Sequence, residues 1–195
     1  GYAVACAARD AGAEVVLVSG PVALPAPAGV QRVCVESAEQ MYEAVHAALP
    51  GADIYIGTAA VADYRPVAVA PQKIKKTAEN LRVELVRAPD ILGSVAALRQ
   101  GRPFVVGFAA ETENLEEHAR RKLLGKRLDM IAANRVGDGL AFDRDDNSLL
   151  VLWNGGREDL GAGGKPELAR RLVALIGAVR CSVRQAPADT AAGES

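Results

Sequence analysis

Lysines and one aspartate carry the first chemical argument in this chain. Lys73, Lys75 and Lys76 crowd into the run Gln72-Lys-Ile-Lys-Lys76. Ammonium groups this close repel one another unless an anion lies among them. The run is therefore either a solvated charge cluster or a flap that closes over a triphosphate and stabilises the transferring phosphoryl group. A second set follows in Glu113–Arg127, where Glu116 and Glu117 each have an arginine four residues on, Arg120 and Arg121. Such helix pairs are worth roughly a few tenths of a kcal/mol each. Lys122 has only His118 at that spacing and Lys126 has only Lys122, so the two lysines form a like-charge stripe without a helix partner. Either they suit the negative end of the helix dipole, or an anion sits between them. Asp63, followed by Tyr64-Arg65, could hold Mg²⁺ beside substrate phosphates, because that ion takes one or two carboxylates and fills its shell with phosphate oxygens and water. A turn cap or a pair with Arg65 is the competing use.

These groups need a scaffold, and small residues mark where it brings backbone close. Gly57-Thr-Ala-Ala-Val-Ala-Asp63, Gly107-Phe-Ala-Ala-Glu-Thr112 and Ile131-Ala-Ala-Asn134 each sit at the end of a hydrophobic run. They serve either tight helix–sheet packing or the approach of a ligand. In open parallel sheets ligands bind beyond the carboxyl ends of the strands, so these three junctions are candidate walls of a site.

The order of elements supports such a sheet. Residues 2–11 are Ala-rich and precede Gly12, as a helix with a C′ glycine does, and Glu14–Val18 reads as a buried strand. The Pro- and Gly-rich stretch 20–29 is a loop, Ser37 caps a helix to Leu49, and Asp53–Ile56 is a strand. Arg65–Asn80, with Pro66, Pro71 and its lysines, keeps no period and reads as a long loop. Arg82–Arg87 alternates weakly as a strand. Pro89 takes a first-turn position of a helix to Leu98, followed by strand Phe104–Phe108, helix Glu113–Arg127 and strand Asp129–Ala133. Strand Asn147–Trp153 and helix Pro166–Val179 complete the pattern. This spacing predicts an α/β fold, Rossmann-like and doubly wound, with a mostly parallel sheet and helices on both faces. Residues 1–181 form the expected domain, and 182–195, rich in Ala and small polar residues, the expected disordered tail. A doubly wound sheet normally opens with a strand and turn before its first helix. Here a helix starts at residue 1 or 2, so the expectation is that the first strand and its Gly-rich loop are missing.

Composition narrows the partners. With 23 Lys plus Arg against 24 Asp plus Glu in 195 residues, the formal charge of −1 excludes the electrostatic footprint of a nucleic-acid or anionic-membrane binder, so phosphate affinity must come from local clusters. Cys6, Cys34 and Cys181 lie far apart, with no zinc spacing or disulfide framework, as expected of a reduced, cytoplasmic protein. No apolar run reaches the ~18 residues that span a bilayer, and no membrane association is expected. There is no Gly-x-Gly-x-x-Gly, Gly163-Gly-Lys165 lacks the spacing and the Ser/Thr of a P-loop, and His46 and His118 both fall in expected helices. An oxidoreductase and a serine hydrolase thus lack their chemical groups.

The runs Val18-Ser-Gly-Pro-Val22, Ala59-Ala-Val-Ala-Asp-Tyr-Arg65, Lys73-Ile-Lys-Lys76, Pro89-Asp-Ile91, Val105-Val-Gly-Phe-Ala-Ala-Glu-Thr112 and Ala133-Asn134, in this order, closely resemble bacterial phosphopantothenate–cysteine ligase over about residues 1–180. The resemblance implies CTP-dependent ligation of 4′-phosphopantothenate with L-cysteine through an acyl-cytidylate, in coenzyme A biosynthesis. It implies CTP contacts at Ala59, Ala60, Asp63, Lys73, Pro89, Asp90, Ile91, Leu92, Phe108, Lys122 and Lys126. Lys73 would be the catalytic flap lysine, Asp63 a ligand of Mg²⁺, and Phe108 with the Pro89–Leu92 backbone the seat of cytosine. A homodimer is implied, with Arg82–Arg87 and Asn147–Trp153 as contributed strands. So is an upstream flavin-dependent decarboxylase domain in many members, absent here, with no flavin expected in this domain. In that family an arginine and an asparagine that handle the acyl-cytidylate precede the position of Gly1. The alternative expectation is accordingly a nucleotide-binding, dimerising fragment without full activity.

Overall fold

The computed structural model describes residues 1–68, 70, 72–75, 79–135 and 146–185. In chain order the first elements are helix α1 (Tyr2–Asp10), strands β1 (Val16–Ser19) and β2 (Gln31–Cys34), helix α2 (Ala38–Ala48) and strand β3 (Ile54–Gly57). A short ribbon, β4 (Tyr64–Pro66) and β5 (Leu85–Arg87), precedes helix α3 (Ile91–Ala96), strand β6 (Phe104–Glu111) and helix α4 (Leu115–Gly125). Strands β7 (Met130–Arg135), β8 (Asp146–Trp153) and β9 (Gly156–Gly164) and helix α5 (Lys165–Gln185) complete it.

The central sheet has the order β3-β6-β7-β8-β9. It is parallel from β3 through β7 and antiparallel at its β8–β9 end. β1 and β2 form a separate parallel pair, and β4 and β5 an antiparallel one. Along the strands the period of two sorts the core into two layers. Val105, Ala109, Ile131, Ala133 and Leu152 face α2, α3 and α4, meeting Val45, Val95, Ala119 and Leu123. Val106, Met130, Ala132 and Val151 face the other way, onto Leu168, Leu172 and Ile176 of α5 and Val4 of α1. Side chains of this size contribute about 1.5–3 kcal/mol each when fully buried, so both faces of the parallel strands must be covered. That is the doubly wound α/β architecture expected from the sequence.

Local chemistry explains several boundaries. Ser37 accepts from the Gln40 N–H at 3.1 Å while the Gln40 side chain accepts from the Ser37 N–H, a reciprocal cap that starts α2. Gly12, at φ +88°, ends α1 in the left-handed region that glycine adopts freely.

Other boundaries differ from expectation. Pro89 lies outside α3: Asp90 is the N-cap, its carboxylate accepting from the Gly93 N–H at 3.0 Å, so the proline precedes the cap. The stretch read as one long loop begins in β4 and returns in β5, and β2 and the Gly-rich β9 were not expected as strands. β8 pairs with β7 on one side and β9 on the other, which leaves no edge for a second chain and overturns Asn147–Trp153 as a contributed strand. Helix α5 runs to Gln185, into the segment expected as tail, and residues 186–195 lie outside the described residues. Among the described residues no helix is long and apolar enough to cross a membrane.

Candidate functional site

A cavity of about 1320 Å³ runs from the facing β1 and β3 up to the carboxyl ends of β3 and β6. Its upper wall holds most of the residues singled out from the sequence. Ala59, Asp63, Pro89, Asp90, Ile91, Leu92, Phe108, Lys122 and Lys126 line it together. Ala60 and Lys73 do not. Lys73 and Lys75 are exposed on the segment between β4 and β5, and Lys76 lies outside the described residues. Yet the ribbon roots that segment in the site. Ala88 N–H donates to Asp63 O at 2.9 Å and Val67 N–H to Glu84 O at 3.0 Å, so the loop leaves from and returns to two runs that line the cavity.

The lysine stripe is not unpartnered, contrary to the reading from helix spacing. Lys126 Nζ donates to Asp90 Oδ2 at 2.5 Å, and Lys122 Nζ to the Phe108 carbonyl at 3.4 Å. The partners come from α3 and β6, which are distant in sequence, so helix periodicity could not show them. Arg120 and Arg121 do hold Glu116 and Glu117, at 3.1 and 2.7 Å, as the spacing indicated. Burial opposes ionisation of Asp90, but the Lys126 ammonium and the Gly93 N–H bonded to it, with the charge of Lys122 nearby, hold its carboxyl below the ordinary value. The corner is thus a balanced set of charges in the unliganded protein. An incoming anion would have to displace a carboxylate from Lys126.

Asp63 is free of the competing use considered for it. The Arg65 guanidinium is taken by Glu39 on α2, and the Asp63 carboxylate is exposed at the cavity wall. Among the described residues no cluster of three or more His, Cys, Asp or Glu could cage a metal by itself. One carboxylate beside a space for phosphates fits Mg²⁺, which keeps most of its shell for phosphate oxygens and water.

The three small-residue junctions separate into two kinds. Gly107-Phe-Ala-Ala-Glu lies inside β6 and Ile131-Ala-Ala-Asn inside β7, with Ala109, Ile131 and Ala133 in the core. A Cβ on Gly107 would come within 2.8 Å of Leu128 Cδ1 and 3.0 Å of Leu92 Cδ2, so packing demands that glycine. Only Gly57–Asp63 is a true loop after a strand. The side chain of Phe108 packs toward the α1/α5 layer, opposite α3, and its carbonyl is what meets Lys122.

One lining group escaped notice in the sequence. Tyr55, on the same β3 face as Gly57, packs its ring on the α2/α3 core and lines the cavity. Burial first, and the Asp90 charge second, push its phenol up to about 12. The signal was there: in a strand, Tyr55 and the terminal Gly57 must share a face. His46 Nε2 meets Ser94 Oγ at 2.9 Å, but Ser94 donates to the Ile91 carbonyl at 2.7 Å, which ties α2 to α3 and leaves no activated nucleophile.

Fold and site define a doubly wound α/β domain whose cationic cleft opens at the carboxyl ends of its parallel strands. The model of the DNA/pantothenate metabolism flavoprotein C-terminal domain matches residues 1–179, and the chain belongs to that family. It is 50% identical over 179 residues to the coenzyme A biosynthesis bifunctional protein CoaBC of Vibrio cholerae serotype O1, covering 90% of this chain and 45% of that protein. To the protein of the same name from Escherichia coli strain K12 it is 51% identical over 160 residues, 80% of this chain and 39% of that one. The chain therefore spans less than half the length of these relatives. The crystal structure of the C-terminal domain of a coenzyme A biosynthesis bifunctional protein CoaBC superposes with a TM-score of 0.76 at 38% identity, covering 94% of this chain and 82% of that one.

Proposed function

We propose that this chain is the ligase domain of coenzyme A biosynthesis that joins 4′-phosphopantothenate to L-cysteine at the expense of CTP. The observation that carries the reading is the single cavity wall on which Asp63, Asp90, Lys122 and Lys126 meet the Pro89–Leu92 run. Two lysines and a free carboxylate at the carboxyl edge of parallel strands suit a nucleoside triphosphate, and the family and its CoaBC relatives supply the pathway.

In the first step a carboxylate oxygen of 4′-phosphopantothenate attacks the α-phosphorus of CTP. The bond from that phosphorus to the bridging oxygen breaks, and pyrophosphate leaves. In the second, the cysteine amine attacks the acyl carbon of the acyl-cytidylate, the acyl–oxygen bond breaks, CMP departs and the amine loses a proton to solvent. Lys122 and Lys126 hold the polyphosphate, with Lys126 exchanging Asp90 for phosphate oxygen. Lys73, carried in by the ribbon, places a point charge where negative charge builds on the phosphorus and the leaving group. Asp63 would hold Mg²⁺, which when bound neutralises phosphate charge and draws electrons from the phosphorus. The Pro89–Leu92 backbone and Phe108 would receive the base, Ala59 and Ala60 lining the approach. The reading includes a homodimer in the cytoplasm, to which the exposed Tyr64, Leu85 and Val86 of the ribbon lend an apolar surface.

Calorimetric titration with CTP and ATP in the presence of Mg²⁺ tests the binding half, with CTP expected to bind more tightly. Pyrophosphate release from CTP and 4′-phosphopantothenate without cysteine tests the first chemical step. CTP binding without pyrophosphate release would favour the second reading, a nucleotide-binding fragment lacking full activity. Equal affinity for both nucleotides, or none, would remove the base-specific part.

A further inference from the structure

Tyr55 is an anomaly within the site. Its ring packs on the core between α2 and α3, yet among the described residues its hydroxyl has no hydrogen-bond partner. A buried polar group without a partner is costly, and natural proteins keep few of them. The hydroxyl stands over the end of β3. A Cβ placed on Gly57 would lie 3.3 Å from it and 3.3 Å from Leu92 Cδ1, so only a glycine two residues on leaves it room there. It faces the same cavity as Asp63, Asp90 and Lys126.

We propose that Tyr55 is a ligand-binding residue whose neutral hydroxyl completes its hydrogen bonding with the uncharged nucleoside part of the bound nucleotide. The inference rests on the nucleotide reading above and adds a residue to it. Two observations place the nucleoside rather than the phosphates at this point. First, the Asp90 carboxylate is near enough to Tyr55 to disfavour a phenolate there, and the same charge disfavours a phosphate at that spot. Second, the cations that would hold phosphates, Lys122 and Lys126, rise from α4 on the far side of Asp90, where one of its oxygens is bonded to Lys126. A hydroxyl that stays protonated can both donate and accept, as a sugar hydroxyl or an exocyclic amine of a base requires.

The test compares Tyr55→Phe with the parent chain by calorimetry, using two probes: CTP, and pyrophosphate as the phosphates alone. Removal of one neutral hydrogen bond should weaken CTP binding roughly three- to tenfold while pyrophosphate binding changes by less than about twofold. Thermal melts without ligand should match or slightly exceed those of the parent, because the deleted hydroxyl has no partner in the free protein. Equal loss for both probes, or no loss for either, would overturn the inference. A parent chain that fails to bind CTP at all would remove the nucleotide reading and this inference together. A parent that binds CTP normally alongside an unaffected variant would remove this inference alone.

Discussion

Two regions of this molecule carry lysines, and they hold them in opposite ways. Lys122 and Lys126 rise from α4, whose Ala119 and Leu123 are buried in the core, and each ammonium already has an oxygen partner. Lys73 and Lys75 stand exposed beyond a ribbon of three-residue strands whose burial pattern is exposed throughout. One region is positioned before any ligand arrives; the other must be positioned by it. The difference suits a division between binding, which gains from a fixed seat, and phosphoryl transfer, which gains from a group that closes on the reacting centre and excludes water.

The strongest way to break that comparison is through stability. Leu123→Ala, at 2% exposure beneath the lysine stripe, should cost about 2–5 kcal/mol, whereas Leu85→Ala, at 55% exposure on the ribbon, should stay within about 0.5 kcal/mol. Chemical denaturation of both variants checks it, and similar losses would mean that the ribbon is as firmly packed as α4. Next comes Lys73→Ala. It should slow pyrophosphate release ~10²–10³-fold, about 3–4 kcal/mol, with a much smaller change in CTP affinity. A variant with the parental rate would return Lys73 to the solvated face and bring Lys75 forward.

A pH measurement sharpens the comparison from the rigid side. The Tyr55 pKa is raised in the folded state, so its contribution is intact below the ordinary value of 10.0 and is lost as pH rises toward about 12. The loss should be on the order of 1–3 kcal/mol and absent in Tyr55→Phe, as urea titrations across that range would show. Lys126→Ala should weaken CTP binding about tenfold. It should lower the melting temperature slightly, because it deprives Asp90 of its cation; relief of like-charge repulsion would have raised it. The smallest effect belongs to Asp90 itself. Its folded pKa is depressed, so its contribution is present above the ordinary 3.8 and fades as pH falls through the lower folded value. That acid shift should vanish in Lys126→Ala.

How far the sequence could be read followed the range of the interactions. Periodicity and caps found α2, α4, α5 and the parallel strands, because Ser37, Gly12 and the alternating core residues act over a few positions. The same local view left Lys126 without a partner, since Asp90 comes from another helix 36 residues away. It placed two small-residue runs beyond the ends of strands when they lie within β6 and β7. There the need for small side chains comes from Leu92 and Leu128, which reach across from other elements. The ribbon escaped because three-residue strands have too few positions for a period to show. The residues lining the cavity were mostly recovered through the family resemblance. Tyr55 was missed because an aromatic in a short apolar strand reads as core until the space above Gly57 is known.

The ribbon has a consequence for how this molecule tolerates change. Because Asp63 with Ala88, and Val67 with Glu84, fasten the base of the intervening segment, residues added to or removed from the middle of it need not shift either cavity wall. Lengthening a loop between fixed ends is thermodynamically mild, about 0.6 kcal/mol for each doubling. The stretch around Lys73 is therefore a natural place for a reporter or a graft: a fluorophore there would register closure over a ligand while α3 and α4 kept the geometry of the seat.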